Sequence, residues 1–216
     1  MTIRRKIIAA AAVALAATFA PSKASAQFHQ LELSPTVGYL FGGKLPTSEG
    51  ELSIPAALSF GAMGSVRLRP GGFLELIYLR QHSELRLRQG GINEKQGDLH
   101  SSYWMIGGRQ EAPKQGPATP WASLLFGATH VRPQDTNDAI GDQSIWNFAG
   151  MFNAGIKIPL GDRLMAQLLG RIIYTSVWNS STWWCGIPGG CAVGVSSNGY
   201  FQGDFSAALT IPLGGV

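Results

Sequence analysis

Residues Ile145–Ile158 read Ile-Trp-Asn-Phe-Ala-Gly-Met-Phe-Asn-Ala-Gly-Ile-Lys-Ile. In an extended chain, successive side chains point to opposite faces. Trp146, Phe148, Phe152, Ala154, Ile156 and Ile158 then share one face, and Asn147, Ala149, Met151, Asn153, Gly155 and Lys157 share the other. The run is 14 residues long, against about five or six in a globular strand and about 9–11 needed to cross a bilayer. Its second face carries amides and small residues rather than the Lys and Glu of a solvated surface. A membrane strand with lipid on its apolar side and a small polar lumen on the other fits this pattern.

The same alternation recurs along the chain, between clusters of Gly, Pro and Asp. Strands are predicted over 31–41, 58–69, 73–88, 99–109, 121–131, 145–158, 164–178 and 200–213. Short links follow the second and sixth strands, at Pro70-Gly71-Gly72 and around Gly161-Asp162. An intermediate link, 112–120, follows the fourth. Longer polar links, 42–57, 89–98, 132–144 and 179–199, follow the others. The prediction is an all-β, closed, up-and-down antiparallel β-barrel of eight strands, transmembrane, with long loops at one rim and short turns plus both chain ends at the other. Tyr39, Phe41, Phe73, Trp121, Trp146, Tyr174, Trp178, Tyr200 and Phe201 lie near strand ends, where interfacial aromatic girdles are expected. A soluble, lipocalin-like carrier would need the faces reversed.

Composition agrees with this reading. Of 216 residues, 28 are Gly and only 14% are charged, against roughly 25% in soluble domains. Residues 1–26 read as a cleaved secretory signal peptide. Arg4, Arg5 and Lys6 precede an uncharged run from Ile7 to Ala20, and Ala24-Ser25-Ala26 offers a small-x-small cleavage pattern. Without that leader, 13 basic residues face 13 acidic ones, so the net charge gives no support to nucleic-acid binding. Residues 27–216 form the predicted barrel domain.

The leader, the eight alternating strands and the long-loop, short-turn rhythm resemble the small outer-membrane β-barrels of the OmpX and OmpA-transmembrane type. The resemblance implies a bacterial outer-membrane location, with outer-membrane lipid or lipopolysaccharide and the barrel-assembly machinery as partners and no cofactor. The closing residues Ile211-Pro212-Leu213-Gly214-Gly215-Val216 lack the terminal aromatic usual in that family. The implied role is non-catalytic: envelope integrity or surface interaction through the long loops. A narrow channel for ions or small apolar solutes is the alternative, followed by an outer-leaflet lipid-modifying enzyme.

Candidate residues follow from the registers. Glu32, Glu75, Arg67, Arg109, Lys157, Arg171 and Asp204 fall at lumen-facing positions. Opposite charges there should pair, because an unpaired buried charge costs several kcal/mol. In the third strand, continued alternation from Leu74, Leu76 and Tyr78 turns Arg80, His82, Glu84, Arg86 and Arg88 outward. Either a bulge near Leu79 reverses the register or the strand rises above the bilayer. In the second case Arg80, Arg86 and Arg88 could meet lipopolysaccharide phosphates. Cys185 and Cys191 flank Gly-Ile-Pro-Gly-Gly, spacing that suits a disulfide in an exported chain. Trp183 and Trp184 beside them are candidate surface contacts.

Signals for catalysis are thin. His82, Ser83 and Glu84 bring to mind a hydrolytic triad, with Ser101 or Ser102 as other nucleophiles, but adjacent strand residues face opposite ways. His29, His100 and His130 show no metal-ligand spacing, so no catalytic or metal site is expected.

Overall fold

Alternating faces of this length can satisfy their backbone in hydrocarbon only if the sheet has no open edge. The computed structural model, which describes residues 31–46, 51–89, 92–114, 116–134, 144–161, 163–176 and 199–213, has that arrangement. Its strands are β1 (Leu31–Phe41), β2 (Lys44–Pro46), β3 (Glu51–Ser53), β4 (Ala57–Arg69), β5 (Gly72–Gln89), β6 (Ile92–Glu111), β7 (Thr119–Gln134), β8 (Ile145–Pro159), β9 (Met165–Ser176) and β10 (Gly199–Leu213). All pairings are antiparallel. The order runs β5-β4-β1-β10-β9-β8-β7-β6, and β6 pairs back onto β5 to close a barrel of eight strands. The remaining two, β2 and β3, form a hairpin that extends the sheet from β5.

The short connections share one rim. At Pro70-Gly71, Gly71 takes φ +72°, which favours glycine, and the Gly71 carbonyl accepts the Glu111 amide at 2.7 Å. The β6–β7 turn closes through the Ala112 amide on the Pro120 carbonyl, and the β8–β9 turn through the Leu160 amide on the Leu164 carbonyl. Leu31 pairs with Leu213 at this same rim.

The barrel is inverted relative to a soluble one. Val37, Phe60, Leu76, Ile106, Phe126, Phe148, Ile172 and Phe205 supply one exposed apolar side chain from each barrel strand, with Val37 57% and Phe205 71% exposed. An apolar band around the whole circumference is far larger than a soluble surface carries. Glu32, Ser34, Asn153, Gln167, Arg171 and Asp204 point inward and are buried. The chain therefore spans a membrane through its strands, with lipid outside and a packed polar lumen inside.

Three expectations change, and one open alternative is decided. The link at 89–98 is not a plain loop, since β5 and β6 continue upward as a paired ladder. The first long link, 42–57, contains β2 and β3. Outward alternation in β5 runs unbroken through Leu79, and the register shift falls higher, between Leu85 and Arg86. Finally, Phe73, Trp121 and Tyr200 are not girdle residues: each is under 5% exposed and points into the lumen. The predicted leader, Trp178, Trp183, Trp184, Cys185 and Cys191 lie outside the described residues.

Candidate functional site

Inside the short-turn rim, side chains from six strands converge. Glu32 on β1 accepts from Arg109 Nη2 at 2.5 Å and from Lys157 Nζ on β8 at 2.8 Å. Arg109 on β6 also reaches Ser65 Oγ at 3.1 Å and Glu75 Oε1 at 3.4 Å. Glu111, two residues along β6 on the same face, pairs with both Arg109 and Lys157. The Arg109 guanidinium lies 4.2 Å from the Phe73 ring centroid, with Trp121 at 5.8 Å. Half-buried Arg67 covers Phe73 at 5.2 Å. Cation–π contact of this kind strengthens as water is excluded.

A second group spans the barrel. Arg171 Nη1 on β9 donates to Asp204 Oδ1 and Ser206 Oγ on β10 at 2.7 and 2.8 Å. The other carboxylate oxygen of Asp204 accepts from Ser59 Oγ on β4 at 2.7 Å. Toward the long-loop rim, Tyr103 Oη donates to Gln202 Oε1 at 2.5 Å, and Gln202 Nε2 to Gln81 Oε1 at 3.4 Å. Gln167 bonds Ser34 and Thr210, and Asn153 donates to Ser123 at 3.0 Å. These layers fill the cross-section, as expected where eight strands leave only enough width for side chains.

The structure thus brings Glu32, Glu75, Arg109 and Lys157 into one knot, Arg171 and Asp204 into another, and leaves Arg67 at the edge of the first. Glu111 was missed because the fourth strand was expected to end at Arg109. Its i+2 spacing from Arg109 was the available signal. The polar chain Tyr103–Gln202–Gln81 was also missed, since uncharged residues on a small-residue face carry no distinctive pattern.

No nucleophile meets a base at the candidate triad. Ser83 turns inward and donates to the Pro55 carbonyl at 2.7 Å, while His82 turns outward against His100. Ser101 is buried in the lumen, and Ser102 stands opposite Arg80 on the outer face. Among the described residues no group of three His, Cys, Asp or Glu converges as a metal site. Arg80, Arg86 and Arg88 all sit on the outer face of β5, with Arg86 held to Glu84 at 2.8 Å.

No family model and no curated protein sequence matches the chain. Solved structures do. Neisserial surface protein A (NspA) superposes with a TM-score of 0.56 at 11% identity, covering 84% of this chain and 96% of that one. The outer membrane protein OprG from Pseudomonas aeruginosa superposes with a TM-score of 0.55 at 9% identity, covering 87% and 97%. The likeness is one of fold: a small eight-stranded outer-membrane β-barrel, of the type that the strand rhythm resembles.

Proposed function

We propose that this chain resides in the bacterial outer membrane, performs no catalysis, and works through the sheet that it raises above the outer leaflet. The observation that carries this reading is the extended hairpin of β5 and β6. These strands are 18 and 20 residues long, against the roughly 9–11 that a bilayer crossing uses. Above Ser83, β5 continues for about 20 Å of strand, paired on one side with β6 and on the other with β3. β6 pairs with β7 only from Asp98 onward, so above that level β5 and β6 continue as a ladder with each other and with β3 and β2 rather than with β7.

The lumen supports a structural rather than a conducting role. Apart from half-buried Arg67, the charges named above are paired and buried across two levels, which leaves the external sheet as the surface available to a partner. Outer-membrane lipid and the barrel-assembly machinery are the proposed partners of the barrel itself. The leader expected at residues 1–26 would supply export.

Two experiments separate the parts of this reading. Outer-membrane fractionation with a boiled and unboiled gel comparison should show a heat-modifiable, membrane-bound band. A soluble periplasmic protein would instead favour a lipocalin-like carrier. A shortened variant, with 84–98 replaced by a two-residue turn, should keep heat-modifiability but lose adhesion or partner binding by intact cells. Unchanged cell-surface behaviour would overturn the role of the sheet.

A further inference from the structure

At the short-turn rim, the end of β4 breaks the register of the wall. Arg67 stands opposite Phe73, but Arg69 stands opposite Gly72, so Leu68 is an extra residue in β4. Uninterrupted alternation would turn Arg69 inward with Ser65 and Arg67. The bulge re-aims it onto the outer wall, a common use of such an irregularity. There the stem of Arg69 lies across Gly72: a Cβ added at Gly72 would sit 2.7 Å from Arg69 Cγ and from Arg69 Nε. Arg69 Nη2 ends 3.4 Å from Gln110 Oε1. The guanidinium is exposed and makes no ion pair among the described residues.

Beside this guanidinium the lipid-facing wall is hollow. A cleft of about 530 Å³ runs from Arg69 and Gln110 over Gly72 and Gly108 to Leu124 and Phe152. Gly72, Gln110 and Ala122 form one row across the strands. Leu74, Gly108, Leu124 and Phe152 form the next, about 7 Å further from the rim. Leu124 and Phe152 are exposed on the flank of the cleft, as is Leu68 near its mouth. Backbone packing does not impose the hollow. A Cβ at Gly108 would meet nothing closer than the Phe73 carbonyl oxygen, at 4.0 Å. Among the described residues no carboxylate lines the cleft. The carboxylates at this level, Glu32, Glu75 and Glu111, are drawn into the lumen by Arg109.

We propose that Arg69 and this cleft bind one glycerophospholipid of the leaflet at the short-turn rim. Its phosphodiester sits on the guanidinium, and one acyl chain lies over Gly108 between Leu124 and Phe152. Charge complementarity selects this occupant. Arginine presents a fork of donors that matches phosphate oxygens, and it stands nearer the rim than the apolar part of the cleft, as a headgroup stands relative to its chain. A second copy of the barrel in the same orientation would offer Arg69 no acidic partner among the described residues, because the carboxylates at that level face its lumen. The size of the cleft lies within the roughly 300–1,000 Å³ of small-ligand sites. The inference needs only that the strands cross a membrane. It does not depend on which rim faces outward or on the role of the upper sheet.

The test uses the whole barrel in a neutral maltoside detergent, titrated with phosphatidylglycerol while native mass spectrometry counts retained lipid. The unsubstituted protein should hold one phosphatidylglycerol more tightly than any further copy. Arg69→Gln should lower that retention at least about tenfold, through loss of the charge-assisted bonds to phosphate. Gly108→Leu should lower it as much by filling the cleft. Arg163→Gln, exposed in the β8–β9 turn of the same rim and outside the cleft, should retain lipid as the unsubstituted protein does. Diacylglycerol with the same chains, which lacks the phosphate, should be held at least about tenfold less well. A preserved gel shift on boiling shows that each variant is folded. Absence of saturable phosphatidylglycerol binding, unchanged retention in Arg69→Gln or in Gly108→Leu, equal loss in Arg163→Gln, or equal retention of diacylglycerol would each overturn the proposal. So would a barrel dimer that Gly108→Leu dissociates, which would assign the cleft to a second copy.

Discussion

Arg171 and Asp204 stand directly opposite each other on β9 and β10 and close a 2.7 Å ion pair with no solvent exposure on either side chain. The pair is one level of a plug whose other level is the Glu32–Arg109–Lys157 knot. Its energetics should be asymmetric. Removing one partner strands a buried charge, at a cost of about 3–5 kcal/mol, whereas replacing both by apolar residues of similar volume is often neutral. Asp204→Ala should therefore lower the urea midpoint in lipid vesicles strongly, and Arg171→Met/Asp204→Leu should recover most of the loss. A single variant as stable as the unsubstituted barrel would show that water reaches the pair.

Closure of the wall depends on close backbone approach between β6 and β7. A Cβ added at Gly127 would sit 1.9 Å from the Trp104 carbonyl oxygen, while one at Gly64 on β4 would meet nothing within 4 Å. Gly127→Ala should destabilise the barrel by about 1–3 kcal/mol, the usual range for overpacking. Gly64→Ala should leave stability within about 0.5 kcal/mol of the original, as for an unstrained substitution away from packed groups. Equilibrium unfolding of both variants in the same vesicles checks the contrast; equal effects would contradict the wall geometry.

The lower knot makes a prediction about conduction. Arg109 contacts all three of Glu32, Glu75 and Glu111. Arg109→Ala leaves those three carboxylates with Lys157 as the cation in contact with Glu32 and Glu111. Their mutual repulsion and hydration should open a cation-selective path, since acidic rings select cations. In planar bilayers the parent barrel should show no resolved steps. The variant should show resolved, cation-selective openings, as expected from exposing an acidic ring. A parent barrel that conducts freely would favour the channel reading instead.

How much of this was legible follows from which faces were chemically distinct. In β8 and β10 one face is apolar and the other polar, so Lys157, Asp204 and their neighbours could be placed from alternation alone. In β7 the run Trp121-Ala-Ser-Leu-Leu-Phe puts bulky apolar residues on both faces, so periodicity could not say that Trp121 turns inward beneath Arg109. Phe73 was readable in principle: Leu74, Leu76 and Tyr78 face outward, which forces Phe73 in. The upper β5–β6 ladder was hidden because residues 89–98 hold a single large apolar side chain, Ile92, among Gly and polar residues, the composition of a loop. Pairing there comes from continuation of a ladder begun lower down. The neighbourhood of Arg80 on the outer wall was hidden for another reason: it combines residues from β5, β6 and β7, and only the registers bring His130 and Arg132 beside Ser102 and His100.

The inward and outward aromatics can be told apart directly. Trp121 is 4% exposed and faces the lumen, whereas Trp104 is 54% exposed on the outer wall among apolar neighbours. Bromine atoms on lipid acyl chains quench indole fluorescence on contact and should reach a side chain only from the outer face. In single-tryptophan variants refolded into bilayers, Trp104 emission should be strongly quenched by brominated lipid. Trp121 emission should be left nearly unquenched by brominated lipid and by aqueous acrylamide alike, because the ring is packed against Arg109 inside a filled lumen. Strong lipid quenching of Trp121 would turn the β7 register over and remove the aromatic wall of the Arg109 knot. Strong acrylamide quenching would mean instead that the lumen is wet at that level.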